Sequence, residues 1–288
     1  MSKTTVIIGL IEHLGDLIAA EPVARFYKNE NLHVTWVVLE RYKALVDCNP
    51  AVDEVVTVEC LSEWDKFPQE AYEVVVDMHF DWRQCHVTGR KVRKRFGSRE
   101  VGLDNYLDHG SLLEAFCASA RIPIITDAPV IHTKPGPPLV EGRYAVMHCV
   151  PNEREREWSQ HSWRMLAFDM VAAGLPVVEV GGMAMLSGVR GVTDMTGLMP
   201  IPKLVDAVRH ATLFVGCESG VAHIANALRV DSLVLMGHYR TWKRYNPYTG
   251  YFKDNADTCL ARFDMPVAEA PYVVMRQLAL NKIRKHIG

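Results

Sequence analysis

No Cys-x-x-Cys pair, no apolar run of membrane-spanning length and no marked net charge occur in these 288 residues. Each absence removes a class of function. The seven cysteines, Cys48, Cys60, Cys85, Cys117, Cys149, Cys217 and Cys259, are odd in number and scattered, which fits reduced thiols in a cytoplasmic setting better than a disulfide framework. A formal charge of -2 argues against a general nucleic-acid or membrane binder and leaves a small molecule or a glycan as the partner. The loop after the first strand, Gly9 to Gly15, lacks the Gly-x-Gly-x-x-Gly spacing of a dinucleotide site and carries Glu12 and His13 instead. Asp-x-Asp, His-Glu-x-x-His and Gly-x-x-x-x-Gly-Lys-Ser/Thr are also missing, so a metal-free mechanism is permitted.

What remains is apolar and periodic. Nearly half of the residues (49%) are hydrophobic, enough to bury the cores of two domains of ordinary size. Thr4 to Ile8, His33 to Leu39, Glu54 to Val58 and Tyr72 to Met78 read as strands. Helical segments lie between them, with a regular helix expected from about Ala20 to Asn29. Continuous apolar strands separated by helices imply a parallel sheet covered on both faces. The Pro/Gly-rich segment Thr133 to Gly142 breaks the pattern, and beyond it the alternation restarts with Tyr144 to Cys149 and Pro176 to Val180. The expected division is residues 1–137 and 138–288, with a terminal helix from about 270 that can pack back on the first domain.

One stretch concentrates the chemistry. Ala211 to Gly237 reads as strand, tight turn, short helix and strand, and a helix that opens straight after a strand presents free amides and a positive dipole end to an anion. Ser219 and Gly220 would supply close-approach amides, with His223 one helical turn further on. Ser219 as an ordinary helix cap explains the same spacing. Gly181-Gly182 after a strand either lets a nucleotide approach the backbone or makes a plain turn. Asp16 lies at a helix entrance, where capping and proton abstraction are both open to it. The six basic residues between Arg90 and Arg99 form either a solvated helix end or a patch for a negatively charged partner, with a short strand expected at Glu100 to Gly102. Trp158 and Trp163 read as packing residues. The segment from His238 to Phe252, rich in aromatics and cations, reads as pocket lining or as a surface loop.

Three patterns in order resemble glycosyltransferase family 9, the lipopolysaccharide heptosyltransferase family, over most of the chain. They are Gly15-Asp16 with Pro22 and then Asn49-Pro50-Ala51-Val52-Asp53-Glu54-Val55; Arg156-Glu157-Trp158 through Trp163; and Thr196-Gly197 followed by Glu218-Ser219-Gly220-Val221-Ala222-His223. Arg156 stands where the family usually has Lys, and Glu218 where it often has Asp. The resemblance implies the GT-B fold class, α/β with two Rossmann-like doubly wound domains whose parallel sheets face across a cleft. It implies an inverting, metal-independent sugar transfer from a nucleoside-diphosphate donor such as ADP-heptose to a bacterial surface glycan or glycolipid, with no cofactor and at the cytoplasmic side, peripheral to the inner membrane. Asp16 would be the base. Arg156, Gly181, Gly182, Glu218, Ser219, Gly220 and His223 would hold the donor, and His13, Arg93 and Arg95 the acceptor. The alternatives are a GT-B sugar-nucleotide epimerase or hydrolase and a non-catalytic nucleotide-sugar-binding protein.

Overall fold

Short β-branched runs alternate with helices along the whole chain, and every strand pairing in the two large sheets is parallel. The computed structural model describes residues 4–197 and 199–287. It divides into two units, Met1–Lys134 with Tyr245–Gly250, and Pro135–Arg244 with Tyr251–Gly288. The change of unit at Lys134/Pro135 lies inside the Pro/Gly-rich segment, three residues before the expected boundary.

In the first unit the elements are β1 (Thr5–Gly9), α1 (Leu14–Ala19), α2 (Glu21–Asn29), β2 (His33–Leu39), α3 (Lys43–Val46), β3 (Glu54–Val58), α4 (Leu61–Lys66), β4 (Val74–Asp77), β5 (Trp82–Gln84), β6 (Lys91–Arg93) and α5 (Leu112–Ala120). The sheet order is β3-β2-β1-β4, so the chain winds outward from β1 in one direction and then crosses to its other side at β4. Ile7, Val37, Leu61 and Trp64 share one apolar cluster beneath it.

Two expectations change here. The helix expected from Ala20 is preceded by a separate one, because Pro22 is accommodated in the first turn of α2 while α1 turns immediately before it. The basic run is not a helix end: Lys91, Val92 and Arg93 alternate as β6 in an antiparallel hairpin with β5, Val92 inward, and no strand forms at Glu100 to Gly102.

The second unit contains β7 (Ala145–His148), α6 (Gln160–Ala172), β8 (Val177–Glu179), β9 (Val192–Asp194), α7 (Ile201–Arg209), β10 (Leu213–Cys217), α8 (Gly220–Ala227), β11 (Ser232–His238), α9 (Tyr251–Asp254), α10 (Ala256–Cys259), β12 (Leu260–Pro266) and α11 (Tyr272–Ile287). Its order is β12-β11-β10-β7-β8-β9, with the direction of winding reversing between β7 and β10. Trp158 and Trp163 meet edge to face at 4.9 Å within the core, and the Trp158 Nε1–H donates to the Ala270 carbonyl at 2.9 Å. Both are packing residues. The terminal helix, for which the sequence left packing on the first domain open, packs against α6, β10 and β11 of its own unit. Its fastening explains the choice: Arg276 Nε donates to Asp169 of α6 at 2.8 Å, and Tyr272 donates to the same carboxylate.

In an open parallel α/β sheet, ligands bind outside the carboxyl ends of the strands at the point where winding reverses. That rule marks the β1/β4 edge in one unit and the β7/β10 edge in the other.

Candidate functional site

At the β7/β10 edge of the second unit, β10 ends in Cys217, and Glu218 and Ser219 turn directly into α8. Ser219 caps that helix, its Oγ accepting from the Ala222 amide at 3.4 Å, so the hydroxyl serves the helix while the first-turn amides remain oriented outward along the dipole. Glu218 is 4% exposed. Its Oε2 lies 2.5 Å from Nη1 of Arg156, and its Oε1 lies 3.8 Å from Nε2 of His223. Arg156 comes from a single 3-10 turn, Arg154–Arg156, that also brings Glu153 within 3.4 Å of it, and its guanidinium lies 4.1 Å from the ring centroid of Tyr239. The charge expected to meet a phosphate alone is therefore already aimed by two carboxylates and a ring. His223 is buried one turn into α8, where desolvation and then the Arg156 charge hold its pKa at about 3. It is neutral, a hydrogen-bonding group and not a cation.

The glycine pair divides. Gly181 sits at φ +127, and a Cβ there would meet the ring of His148 at 2.8 Å, whereas a Cβ on Gly182 would meet nothing within 4 Å. The Gly197 amide donates to the Gly181 carbonyl at 2.8 Å, so the Thr196-Gly197 pattern pins this turn. Within the His238–Phe252 segment, Tyr239, Trp242, Tyr245, Tyr248 and Phe252 are all buried, which fits pocket lining and packing better than a solvated loop. Tyr245–Gly250 belongs to the first unit.

At the β1/β4 edge of the first unit, Asp16 lies in the first turn of α1, three residues past His13, the residue that begins the helix. No side-chain cap is made there, so capping does not explain Asp16. Instead its Oδ2 accepts from Nη2 of Arg83, on β5, at 3.4 Å. His13 has φ +66, an uncommon conformation for a residue with a side chain. Burial lowers its pKa, with the Asp16 charge acting in the opposite direction. Glu12 is 4% exposed, and its Oε2 has no partner among the described residues.

Beneath this lies a network the sequence did not announce. The Asp77 Oδ1 and the His79 Nδ1 are 2.7 Å apart, and the His79 Nε2 accepts the Ile11 amide at 3.3 Å, which ties the end of β4 to the loop carrying Asp16. Lys94 is buried on the carbonyls of Asp77 and Ser119, and desolvation lowers its pKa to about 8. Arg93 is exposed near Asp81 at 3.4 Å, while Arg95 is held by Glu70 at 2.6 Å and the Phe67 carbonyl at 2.5 Å. Arg83, Arg93, Lys94 and Arg95 line a cavity of about 280 Å³, measured out to open solvent. Among the described residues, no group of three or more His, Cys, Asp or Glu side chains is arranged to hold a metal ion.

His148, Arg83 and Glu12 were not singled out in the sequence as ligands. The one available signal is that His148 ends an otherwise apolar strand at its carboxyl end.

Residues 133–262 match glycosyltransferase family 9 (heptosyltransferase). A 65-residue stretch is 34% identical to the autotransporter heptosyltransferase Aah of Escherichia coli, covering 20% of this chain and 17% of that protein. The chain thus spans under a fifth of the curated relatives it matches. Among solved structures, the glycosyl transferase family 9 protein of Veillonella parvula superposes with a TM-score of 0.71 at 13% identity, over 99% of this chain and 98% of that one. The dodecameric iron-containing heptosyltransferase TibC of E. coli, in complex with ADP-D-β-D-heptose, superposes at 0.63 with 15% identity, over 98% of this chain and 77% of that one. The two parallel α/β units are the two Rossmann-like domains of the GT-B class. The matched segment runs from the interunit stretch into β12, so the second unit resembles glycosyltransferase family 9 (heptosyltransferase) in sequence, and the fold is shared along nearly the whole chain.

Proposed function

We propose that the chain is an inverting, metal-independent glycosyltransferase that moves a sugar, a heptose from an ADP-linked donor, onto a lipopolysaccharide-type bacterial surface glycan. The reading rests on one observation above the others: Arg156, Glu218 and His223 converge on the N-terminus of α8, at the winding reversal of the family-matched unit. That arrangement suits a nucleoside diphosphate leaving group, whose developing charge would be met by the Ser219 and Gly220 amides, the helix dipole and the aimed guanidinium. Glu218, longer than the Asp often found in the family, would accept from a donor sugar hydroxyl.

In the transfer, the acceptor hydroxyl oxygen bonds to the anomeric carbon as the bond to the diphosphate breaks, the electron pair leaving with the phosphate. Asp16 would take the hydroxyl proton. Arg83 engages Oδ2, which leaves Oδ1 for that task. His13, Arg93 and Arg95 would contact the acceptor. No helix among the described residues is long and apolar enough to cross a membrane. We place the reaction in the cytoplasm, peripheral to the inner membrane, where such acceptors are assembled.

Calorimetric titration with ADP-, UDP- and GDP-linked sugars tests the donor side, with the ADP sugars binding tightest; folded protein that binds none of them overturns the reading. Mass spectrometry of products from a panel of glycan acceptors should show a mass increase of one sugar. Turnover of donor without any acceptor would point to an epimerase or hydrolase.

A further inference from the structure

His148 is the last residue of β7 and stands level with Gly216 on β10, at the point where the second sheet reverses its winding. Its ring is held on two edges. On one, the bare backbone of Gly181 comes so close that any side chain there would strike Cδ2 and Nε2 at 2.8 and 3.0 Å. On the other, Nδ1 lies 3.6 Å from the Cys217 sulfur, which is also 3.5 Å from the His148 carbonyl.

That sulfur decides where the ring proton lies. Burial raises the Cys217 thiol to about 12, so it keeps its hydrogen, and a carbonyl can only accept it. With the hydrogen given to the His148 carbonyl, the sulfur can only accept from Nδ1–H. Burial also holds the imidazole at about 4, so the ring carries a single proton. Nε2 is then a bare lone pair, and no described residue donates to it. A neutral imidazole in this tautomer accepts from hydroxyl or amino hydrogens at Nε2 and disfavours bare acceptors there.

Adjacent strands lie about 4.8 Å apart, so β7 is one strand from the α8 N-terminus, the spacing of a sugar ring joined to a phosphate held there. We propose that His148 is a further binding residue of this unit, its Nε2 accepting a hydrogen bond from a ribose hydroxyl of a nucleoside diphosphate, with Cys217 and Gly181 fixing the ring's tautomer and place. The assignment rests on the donor reading given above. It adds a contact that lies outside the matched motifs.

The test is a binding cycle by calorimetry with ADP, 2′-deoxy-ADP and 3′-deoxy-ADP against wild type, His148→Ala and Cys217→Ala, each variant checked for folding by thermal melt. His148→Ala should weaken ADP roughly 3- to 10-fold, the size of one neutral hydrogen bond. It should leave unchanged the affinity for whichever deoxy analogue lacks the partnered hydroxyl. Cys217→Ala should show the same selectivity to a smaller degree. Equal losses for all three nucleotides, or no loss, overturn the assignment while the donor reading stands. Absence of ADP binding to wild type overturns both. Imidazole nitrogen NMR of the wild-type protein gives an answer that needs no variant: Nε2 of His148 should resonate as the unprotonated nitrogen and shift on adding ADP. A protonated Nε2 sinks the proposal.

Discussion

The two winding reversals have the same topology and opposite electrostatic habits. In the second unit the candidate groups are buried and closely held: Glu218 pairs with Arg156, His223 lies beside Glu218, and the His148 ring is wedged between Gly181 and Cys217 with Nε2 left for a ligand. In the first unit Asp16 has one partner at 3.4 Å, Glu12 has an oxygen with none, and the loop passes through a left-handed histidine. A ligand arriving at the second site meets dipoles that are already oriented, as a fixed leaving group requires. At the first, an unpartnered carboxylate oxygen on Glu12 and the positive φ of His13 are retained, as the proposed proton uptake would require.

The largest effect should come from breaking the first site's chemistry alone. Asp16→Asn keeps the size of the side chain and removes its basicity, so turnover should fall by about 10³-fold, within the range of a lost general base. Calorimetric affinity for the nucleotide sugar should stay at the wild-type value, because the proposed role of Asp16 is toward the acceptor. A variant that turns over normally would return Asp16 to a structural role.

Next in size is the ion pair of the second site. Arg156→Met leaves the Glu218 carboxylate, 4% exposed, without its cation and should cost about 3 kcal/mol in denaturant unfolding. Adding Glu218→Leu should recover most of that stability, since two apolar groups can replace a buried pair. Nucleotide binding should not recover. In the first unit, Arg83→Met should cost less, about 1 kcal/mol, because the contact is long at 3.4 Å and the Asp16 carboxylate is less buried than that of Glu218. Equal costs in the two units would erase the contrast.

Much of this was legible in the residues. The strand-turn-helix at Leu213 to Ala227 and the aspartate at a helix entrance after β1 are local features, set by β-branching, turn chemistry and helix spacing, and they fold as the sequence reads. What was not legible is long-range or marginal. Nothing in the order of residues says that Arg156 and Glu218, 62 positions apart, will share a bond. The short strands β5, β6 and β9 hold only three residues each, too few for a period to show, and β12 carries Arg262, Asp264 and Pro266 within an edge strand. Asp77 and His79 were concealed at the end of an apolar run, where nothing in the order of residues shows that Asp77 Oδ1 and His79 Nδ1 will pair.

The buried histidines give the contrast a pH signature. His148 and His223 are held at about 4 and about 3, against an ordinary value near 6.5. Between pH 6.5 and 4 the unfolded chain binds protons that the folded chain refuses. Stability is therefore full above that window and falls as pH drops through it, by about 1.4 kcal/mol per pH unit for each histidine. Denaturant titrations from pH 7 to 4.5 should show the slope, and His223→Gln should remove one proton's share. His13 shifts in the same direction, so the variant and not the wild-type slope isolates the second site.

The smallest effects distinguish two neighbouring glycines. Gly181→Ala forces a Cβ into φ +127 and against the His148 ring, so it should cost about 1–2 kcal/mol and weaken ADP along with it. Gly182→Ala places its methyl where no atom lies within 4 Å, and stability should change by less than about 0.5 kcal/mol. If a nucleotide approaches the backbone at Gly182, the same methyl should reduce ADP affinity several-fold while the melting temperature stays fixed. Unchanged affinity at Gly182 with a loss at Gly181 would mean that this turn serves the site only by seating His148, and that of the two glycines only the first is needed by the second unit's crevice.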